Sequence, residues 1–327
     1  MVFARRFILL FWTLLTIIGC EFWQTEQQRW TLAPEGAPSM ALSRDGRFAL
    51  FYSVEQDIVL YDLGSNQALA RFGAQDPRGS AVVTATIADN PRYALTATQD
   101  NFAVWDLAWG QAEGLWSISD GVIIDADIAS NGEQVLLGLT NGKAIYVNLG
   151  TGRRLEFLAH QEKVNSVAIA PNGRYALSGG NDKNAYFWDT NTGQALYHFP
   201  HRARVRQVAL QRDGNYAFTA DSEGNGFIWD LSNGEKVTEL SISVRQQNFS
   251  SARFSDDGQF LVTGTPGRYV EVWRTADGKK IHRWQSAALE NARPPSAVVY
   301  DVALDSQNRV ISATSAGIVQ AWQAEMK

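Results

Sequence analysis

The chain has 327 residues and is mildly acidic, with 29 Lys and Arg against 34 Asp and Glu. Aromatic residues make up 11% and charged residues 19%, and there are 27 glycines, a composition that excludes a disordered chain and favours a packed, turn-rich β protein. The acidic balance gives no general reason to expect nucleic acid as a partner.

Residues 1–19 have the layout of a secretory signal peptide. Arg5 and Arg6 form a basic start, an apolar run follows over 7–18, and the small residue Gly19 precedes Cys20. A membrane-spanning helix needs roughly 20 apolar residues, whereas this run stops at Cys20. We therefore predict a cleaved leader rather than a permanent span. Its removal leaves 27 basic against 34 acidic residues, a net charge of −7.

The tetrapeptide Ile17-Ile18-Gly19-Cys20 closely resembles the lipobox of bacterial lipoprotein precursors. In that family the cysteine thiol receives a diacylglycerol, the leader is cut just before it, and the new amino terminus is acylated, for example with palmitate. Two or three acyl chains anchor a protein stably. The resemblance implies lipidation of Cys20, a tether over 20–27, and a cell-envelope location. Glu21 resembles the residue of lipoproteins sent to the outer membrane, facing the periplasm or the surface. An unmodified cysteine is the alternative.

The remaining residues repeat with a period of about 41 to 50. Seven segments each end in an apolar stretch with a reference residue near its close, and successive reference residues are separated by 44, 42, 41, 41, 44 and 49 positions. In chain order the reference residues are Tyr61, Trp105, Val147, Trp188, Trp229, Trp273 and Trp322. A fixed period of this length indicates a solenoid or a propeller.

Each unit also carries turn signals that divide it into strands. Sequences such as PNGRYALS at 171–178 and RDGNYAFT at 212–219 place Asn-Gly or Asp-Gly between apolar stretches. These pairs favour the positive φ of tight hairpin turns. A later turn, such as NTGQ at 191–194, leads into an outer strand. The pattern predicts four strands per repeat, and hence an all-β, seven-bladed propeller over 28–327.

The units resemble WD repeats, most closely HQEKVNSVAIAPNGRYALSGGNDKNAYFWD at 160–189. In that family a His, a Ser or Thr, an Asp and a Trp share a buried hydrogen-bond network. The resemblance assigns those roles here to His160, Ser178, Asp182 and Trp188. In the fifth unit it assigns them to His201, Thr219, Glu223 and Trp229. The other five units lack the His, and the third also has Val147 in place of Trp. Some segments also resemble quinoprotein-type propellers, which the Trp-Asp pattern fits less well.

The sequence also predicts which segment closes the ring. The chain ends just after the third-strand pattern of the seventh unit, while QQRWTL at 27–32 resembles the outer-strand segment IHRWQS at 281–286. WD propellers take the last outer strand from the amino-terminal end of the domain. We therefore predict that this segment closes the ring, which protects two sheet edges, and that deleting 27–33 destabilises it.

The sequence contains little catalytic chemistry. Cys20 is the only cysteine, there are four histidines, and no zinc-ligand spacing, GxSxG or Walker-type motif occurs. Acids that recur after the third-strand aromatic are interpreted as structural; they are Asp62, Asp106, Asp189 and Asp230. We predict no catalytic residue, no metal and no cofactor.

The loops of the fourth to sixth units carry a basic cluster that is a candidate partner-binding surface. Its members are Lys163, Lys183, Arg202, Arg204, Arg206, Arg245 and Arg268. Solvated surface charge is the alternative interpretation, and the longer loops 73–81 and 286–297 are other candidates. The predicted function is a membrane-anchored interaction scaffold that binds one or more envelope proteins. The alternatives are a propeller that binds or hydrolyses a small molecule in its central channel, and an intracellular eukaryotic WD protein with an amino-terminal anchor.

Overall fold

The computed structural model describes residues 26–73, 81–242, 248–289 and 295–326. In this part of the chain all regular structure is β-strand, arranged as seven four-stranded antiparallel sheets. The hairpins form where the sequence supplies turn residues. Gly173, for example, has a φ of +72° in the turn of PNGR, a backbone conformation that favours glycine.

The sheets are the blades of a propeller, numbered one to seven in the order of their innermost strands. Blade one contains four consecutive strands, and the same pattern repeats through blade six. Blade seven combines three carboxy-terminal strands with β1. The bounds are: β1 Glu26–Thr31; in blade one β2 Ser39–Leu42, β3 Phe48–Ser53, β4 Asp57–Asp62 and β5 Gln67–Phe72; in blade two β6 Thr84–Ile87, β7 Tyr93–Ala97, β8 Asn101–Asp106 and β9 Gln111–Ser117; in blade three β10 Ile123–Ile128, β11 Gln134–Leu139, β12 Ala144–Asn148 and β13 Arg153–Phe157; in blade four β14 Val164–Ile169, β15 Tyr175–Gly180, β16 Asn184–Asp189 and β17 Ala195–Pro200; in blade five β18 Val205–Leu210, β19 Tyr216–Asp221, β20 Gly226–Asp230 and β21 Lys236–Glu239; in blade six β22 Ser251–Phe254, β23 Phe260–Gly264, β24 Tyr269–Arg274 and β25 Lys280–Gln285; in blade seven β26 Val299–Leu304, β27 Arg309–Thr314 and β28 Ile318–Gln323.

The amino-terminal strand closes the ring, as predicted. β1 is antiparallel to β28, with Trp30 opposite Val319 and Thr31 opposite Ile318. Beyond the strand, the amides of Leu32 and Ala33 both donate to the carbonyl of Gly317, at 2.8 and 3.1 Å. Blade seven therefore has its full set of four strands. β1 begins at Glu26, two residues before the boundary at 28 that the sequence analysis placed.

The core lies between neighbouring blades. One cluster, for example, joins Phe102 and Val104 of blade two to Ile123 and Leu137 of blade three. Most residues of the second and third strands are buried, which explains the largely apolar sequences of these strands, whereas the outer strands are largely exposed. The blades are thus packed into one ring whose stability depends on every interface.

The two faces of the ring are defined by its connections. The top face carries the loops between blades and the turns between second and third strands; the bottom face carries the other turns. The first strand of each blade runs from top to bottom along the inside of the ring. The third strand of each blade also runs from top to bottom, so β28 ends at the bottom face. Glu26, the first residue of β1, lies opposite Trp322 near that end of β28. The chain therefore enters the propeller at the bottom face.

Candidate functional site: the central channel and the top face

The seven innermost strands enclose a central channel with a volume of about 790 Å³. Two carboxylates on β10, Asp125 and Asp127, line it. Oδ2 of Asp125 accepts the amide proton of Val167 at 2.9 Å, and Oδ2 of Asp127 accepts that of Ile169 at 2.9 Å. Both acceptors thus join blade three to the innermost strand of blade four.

The channel environment changes the acidity of these two groups. Burial raises the pKa of Asp125 to about 6, against the hydrogen bond from Val167, and the nearby charge of Asp127 adds to the rise. Burial likewise raises the pKa of Asp127. A third carboxylate, Asp301 of blade seven, accepts the amide proton of Leu42 in blade one at 2.8 Å and pairs with Arg253 at 2.8 Å. These acids link adjacent blades around the inner wall.

Four side chains form a cyclic ion-pair network across the bottom of the channel. Arg44 Nε lies 2.6 Å from Asp256 Oδ1 and 3.3 Å from Asp89 Oδ1. Arg212 completes the cycle through its Nη2, 3.0 Å from Asp89 Oδ2, and its Nη1, 3.3 Å from Asp256 Oδ2. The four residues belong to blades one, two, five and six, so the network bridges opposite sides of the ring. The network therefore obstructs the bottom mouth of the channel.

Arginine side chains lie at the top mouth. Arg204 precedes β18 and Arg206 is its second residue; both are exposed and both line the channel. Neither forms an ion pair with an acid among the described residues. Unlike Arg44 and Arg212 at the bottom, they are available to an external anion.

The other predicted basic residues also lie on the top face. Lys163 precedes β14, Lys183 is in the turn between β15 and β16, and Arg202 is in the loop before β18. Arg268 is in the turn between β23 and β24, where its Nη1 donates to the carbonyl of Ser286 at 3.2 Å. The structure thus places these residues on one face of consecutive blades. Arg245 lies outside the described residues, as does Cys20.

In blade four the predicted network residues are neighbours. The carboxylate of Asp182 can only accept, so the His160 ring carries its proton on Nδ1, which donates to Asp182 Oδ2 at 3.0 Å. His160 Nε2 then accepts from the Ser178 hydroxyl at 2.9 Å. Burial opposes ionisation of Asp182, but the hydrogen bonds from His160 and from the amides of Gln161 and Asn184 outweigh it and lower the pKa of Asp182. The fourth residue, Trp188, stacks on Phe157 at 4.6 Å, and its buried Nε1 has no partner among the described residues.

In blade five one of the predicted network residues is wrong. His201 Nδ1 faces Asp221 Oδ2 at 3.3 Å, so Asp221, and not the expected Glu223, supplies the carboxylate. His201 Nε2 accepts from the Thr219 hydroxyl at 2.8 Å, and Thr219 Oγ1 accepts from Trp229 Nε1 at 2.8 Å. The network is therefore a continuous chain from tryptophan to aspartate. Glu223 is exposed in the turn, where its amide donates to Asp221 Oδ1 at 3.0 Å.

Gly180 gives the physical reason for the difference between the two blades. It pairs with the first residue of β14, as Asp221 pairs with the first residue of β18, so the two positions are equivalent. A Cβ at Gly180 would lie 2.7 Å from both His160 Nδ1 and Asp182 Oδ1. The glycine leaves room for Asp182 to reach in from the turn. In blade five the strand position itself bears the acid, and a turn carboxylate is not needed.

The periodic acids after the third strands hold the turns that follow them. Asp62, for example, accepts the amide proton of Gly64 at 2.9 Å and pairs with Arg47 at 3.1 Å. Asp106 and Asp189 make equivalent contacts with their own turn amides and with Arg92 and Arg174. These contacts explain why an acid recurs after the third strand.

Residues 152–189 match the family model described as "WD domain, G-beta repeat". The matched stretch covers the outer strand of blade three and the three inner strands of blade four, including the hydrogen bonds of His160. The molecule is a seven-bladed β-propeller that contains a WD repeat. WD-repeat propellers are in general interaction scaffolds, and this fold fits that role. No curated protein matches the sequence.

Two further findings bear on the predicted sites of this propeller. In the ranges that the structure describes, no three His, Cys, Asp or Glu side chains are placed to hold a metal ion. Those same ranges include no helix long and apolar enough to span a membrane.

The acids of the channel and the ion-pair network at its bottom were not predicted from the sequence. Asp125 and Asp127 alternate along β10, a spacing that places two side chains on one face of a strand. This spacing could have identified the two acids from the sequence. The ion pair of Arg44 with Asp256 joins residues 212 positions apart, and no local pattern marks it.

Proposed function

We propose that this protein is a binding scaffold of the bacterial cell envelope, tethered by a lipid on Cys20, and not an enzyme. The observation that supports it best is the pair Arg204 and Arg206, which are exposed at the top mouth of a rigid ring without an acidic partner among the described residues. Unpaired guanidinium groups are suited to binding carboxylates or phosphates. The partner we propose is one or more envelope proteins.

The geometry of the first strand supports the tether. Glu26, where the chain enters blade seven at the bottom face, follows Cys20 by six positions. An extended segment of this length reaches about 20 Å. A lipid on Cys20 would therefore hold the bottom rim near the membrane and leave the top face accessible to a partner.

Native capture tests the scaffold. The full-length protein and the variant Arg202→Glu, Arg204→Glu, Arg206→Glu are purified from envelope extracts after crosslinking in the intact cell. We expect the variant to lose a co-purified protein that the wild type retains. Lys236→Glu with Lys279→Glu changes two exposed cations of the bottom face, at the start of β21 and in the turn before β25; this control should retain it. Equal recovery with all three proteins would refute binding through the top face.

The tether is tested separately by acyl labelling and detergent phase partitioning. Wild type should incorporate the label and enter the detergent phase, and Cys20→Ala should do neither. A wild-type chain without label would refute lipidation and leave the scaffold proposal standing.

The channel supports a second candidate function, the binding of a small molecule. A carboxyl with a pKa of about 6 in a cavity of about 790 Å³ is a feature of many functional sites. Its hydrogen bonds to blade four give Asp125 a structural role, which favours the scaffold. A metabolite that raises the melting temperature of wild type, but not of Asp125→Asn, would favour the channel.

A further inference from the structure

The top face is divided into an apolar half and a basic half. Four large apolar side chains are exposed on the top of blades one to three. Val54 is in the turn after β3 and is 78% exposed; Leu158 follows β13 and is 61% exposed. Val83 and Val122 precede β6 and β10 and are less exposed. We call these four residues the apolar half of the top face.

The remaining exposed large apolar residues of the described chain do not lie on the top face. Four are on outer strands, and Trp109 is in a bottom turn of blade two; the strand residues are Leu69, Leu115, Leu196 and Val237. The tops of blades five to seven thus expose no large apolar side chain within the described ranges. The apolar residues of the top face are therefore grouped and not scattered.

The basic half occupies the top of blades four to six. It consists of Lys163, Lys183, Arg202, Arg204, Arg206 and Arg268. Among the described residues, the exposed acids in the top loops of these blades are Glu162 and Glu223, while Asp182 and Asp221 are each hydrogen-bonded to a histidine. Six described cations against these two acids leave the basic half positive on a protein that is negative as a whole.

The two halves meet at the top mouth of the channel. Val83, from blade two, and Arg204 and Arg206, from blade five, line the same cavity. A ligand that spans the mouth can therefore contact apolar side chains at one end and guanidinium groups at the other.

We propose that the partner presents an acidic, apolar protein segment whose apolar end lies on blades one to three and whose carboxylates pair with the basic half. This inference rests on the proposed scaffold function and names the chemistry of its partner. Burial of the apolar side chains supplies affinity, and the carboxylates of the segment fix its orientation by pairing with arginine. An anion without apolar groups would leave the apolar half unused.

The distribution of acids favours a protein segment over an anionic membrane surface. Glu55 and Asp57, both exposed, follow Val54 on the apolar half. Membrane-binding surfaces instead combine apolar side chains with lysine and arginine around them. Negative charge beside the apolar residues would be repelled by anionic headgroups.

The test uses a labelled synthetic peptide with leucines at one end and glutamates at the other. Two control peptides carry serine in place of leucine, or lysine in place of glutamate. Binding to the full-length protein in detergent is measured by fluorescence anisotropy. We expect the first peptide to bind about ten-fold more tightly than either control, since each control removes one of the two contacts.

Two variants of the protein locate the contacts. Arg204→Glu with Arg206→Glu, and separately Val54→Ser with Val122→Ser, should each weaken binding by about five-fold or more. Both pairs are at the surface, so the fold should tolerate them. Lys236→Glu with Lys279→Glu should leave binding unchanged. A photo-reactive group at the leucine end should crosslink to blades one to three.

Several results would overturn the proposal. Equal binding of the serine peptide would reduce the surface to a general polyanion site. Binding of phosphatidylglycerol vesicles that depends on both variant pairs, without binding of the peptide, would show a membrane surface instead. If no peptide binds while native capture still depends on Arg202, Arg204 and Arg206, the scaffold function stands and the proposed partner chemistry is wrong.

Discussion

Trp30→Ala should destabilise the whole ring, because Trp30 fastens the closing strand. Its side chain is 6% exposed, and its Nε1 donates to the carbonyl of Leu63 in blade one at 3.1 Å. A buried tryptophan removes roughly 200 Å² from water, worth about 5 kcal/mol. The lost hydrogen bond adds about 1 kcal/mol, and relaxation around the cavity recovers part of the total. We expect a loss of about 4 kcal/mol in the free energy of unfolding.

The assay is thermal and denaturant unfolding of the full-length chain, together with amide hydrogen exchange. A loss of about 4 kcal/mol lowers the melting temperature of a chain of this size by roughly 8 °C. Exchange should accelerate first in β28, whose outer edge β1 covers, and then in neighbouring blades. Trp109→Ala is the matched control, since that side chain is 73% exposed; its stability should change by less than about 0.5 kcal/mol.

A Trp30→Ala protein that melts within about 2 °C of wild type, and no lower than Trp109→Ala, would refute the reasoning. It would show that the amino-terminal strand covers blade seven without holding the ring closed. Trp30→Phe separates the two contributions, because it keeps most of the buried area and loses the hydrogen bond to Leu63.

Three further outcomes follow from individual contacts. Gly317→Ala should cost more than about 2 kcal/mol in a denaturant titration, because the φ of Gly317 is +70° and a Cβ would lie 1.9 Å from the Ala33 carbonyl oxygen. Gly152→Ala is the control: Gly152 has a φ of +72° but open space around it, so this variant should lose only about 1 kcal/mol through backbone strain. Thr219→Val should cost about 2 to 3 kcal/mol, since it leaves Nε2 of the buried His201 side chain and Nε1 of the half-buried Trp229 without their hydrogen bonds. A loss below that of Ser178→Ala would contradict the continuous chain in blade five. The pKa of Asp125 is raised from 3.8 to about 6 in the folded protein, so its contribution to stability is lost as pH rises through about 6. Between pH 7.5 and pH 5 the free energy of unfolding of wild type should therefore rise by about 1 kcal/mol relative to that of Asp125→Asn. Parallel pH profiles of the two proteins would contradict the shift.

The repeat could be predicted from sequence because its signals are local. Turns such as PNGR require a positive φ at Gly173, and the apolar stretches around them are buried in the blade as expected. The closing strand was also predictable, since the seventh unit lacks an outer strand and 27–32 resembles one. Each of these inferences depends on residues close together in the chain or on a fixed period.

The side-chain networks were less predictable, because equal spacing does not guarantee equal geometry. Glu223 stands as far after Thr219 as Asp182 stands after Ser178, yet Asp221 is the residue that meets His201. The deciding factor is whether the strand position facing the histidine bears a side chain, and that depends on a bulged register between two strands.

By itself, the sequence determined the number of blades, their four strands and the strand that closes the ring, because hydrophobic period and turn chemistry are local properties. Only the tertiary structure decided what the ring brings together. It placed Arg44 against Asp256 across the bottom of the channel and Arg204 at the opposite mouth. It also separated the apolar and basic halves of the top face. These arrangements arise because blades far apart in sequence converge on one axis, and no local pattern records which side chains will meet there.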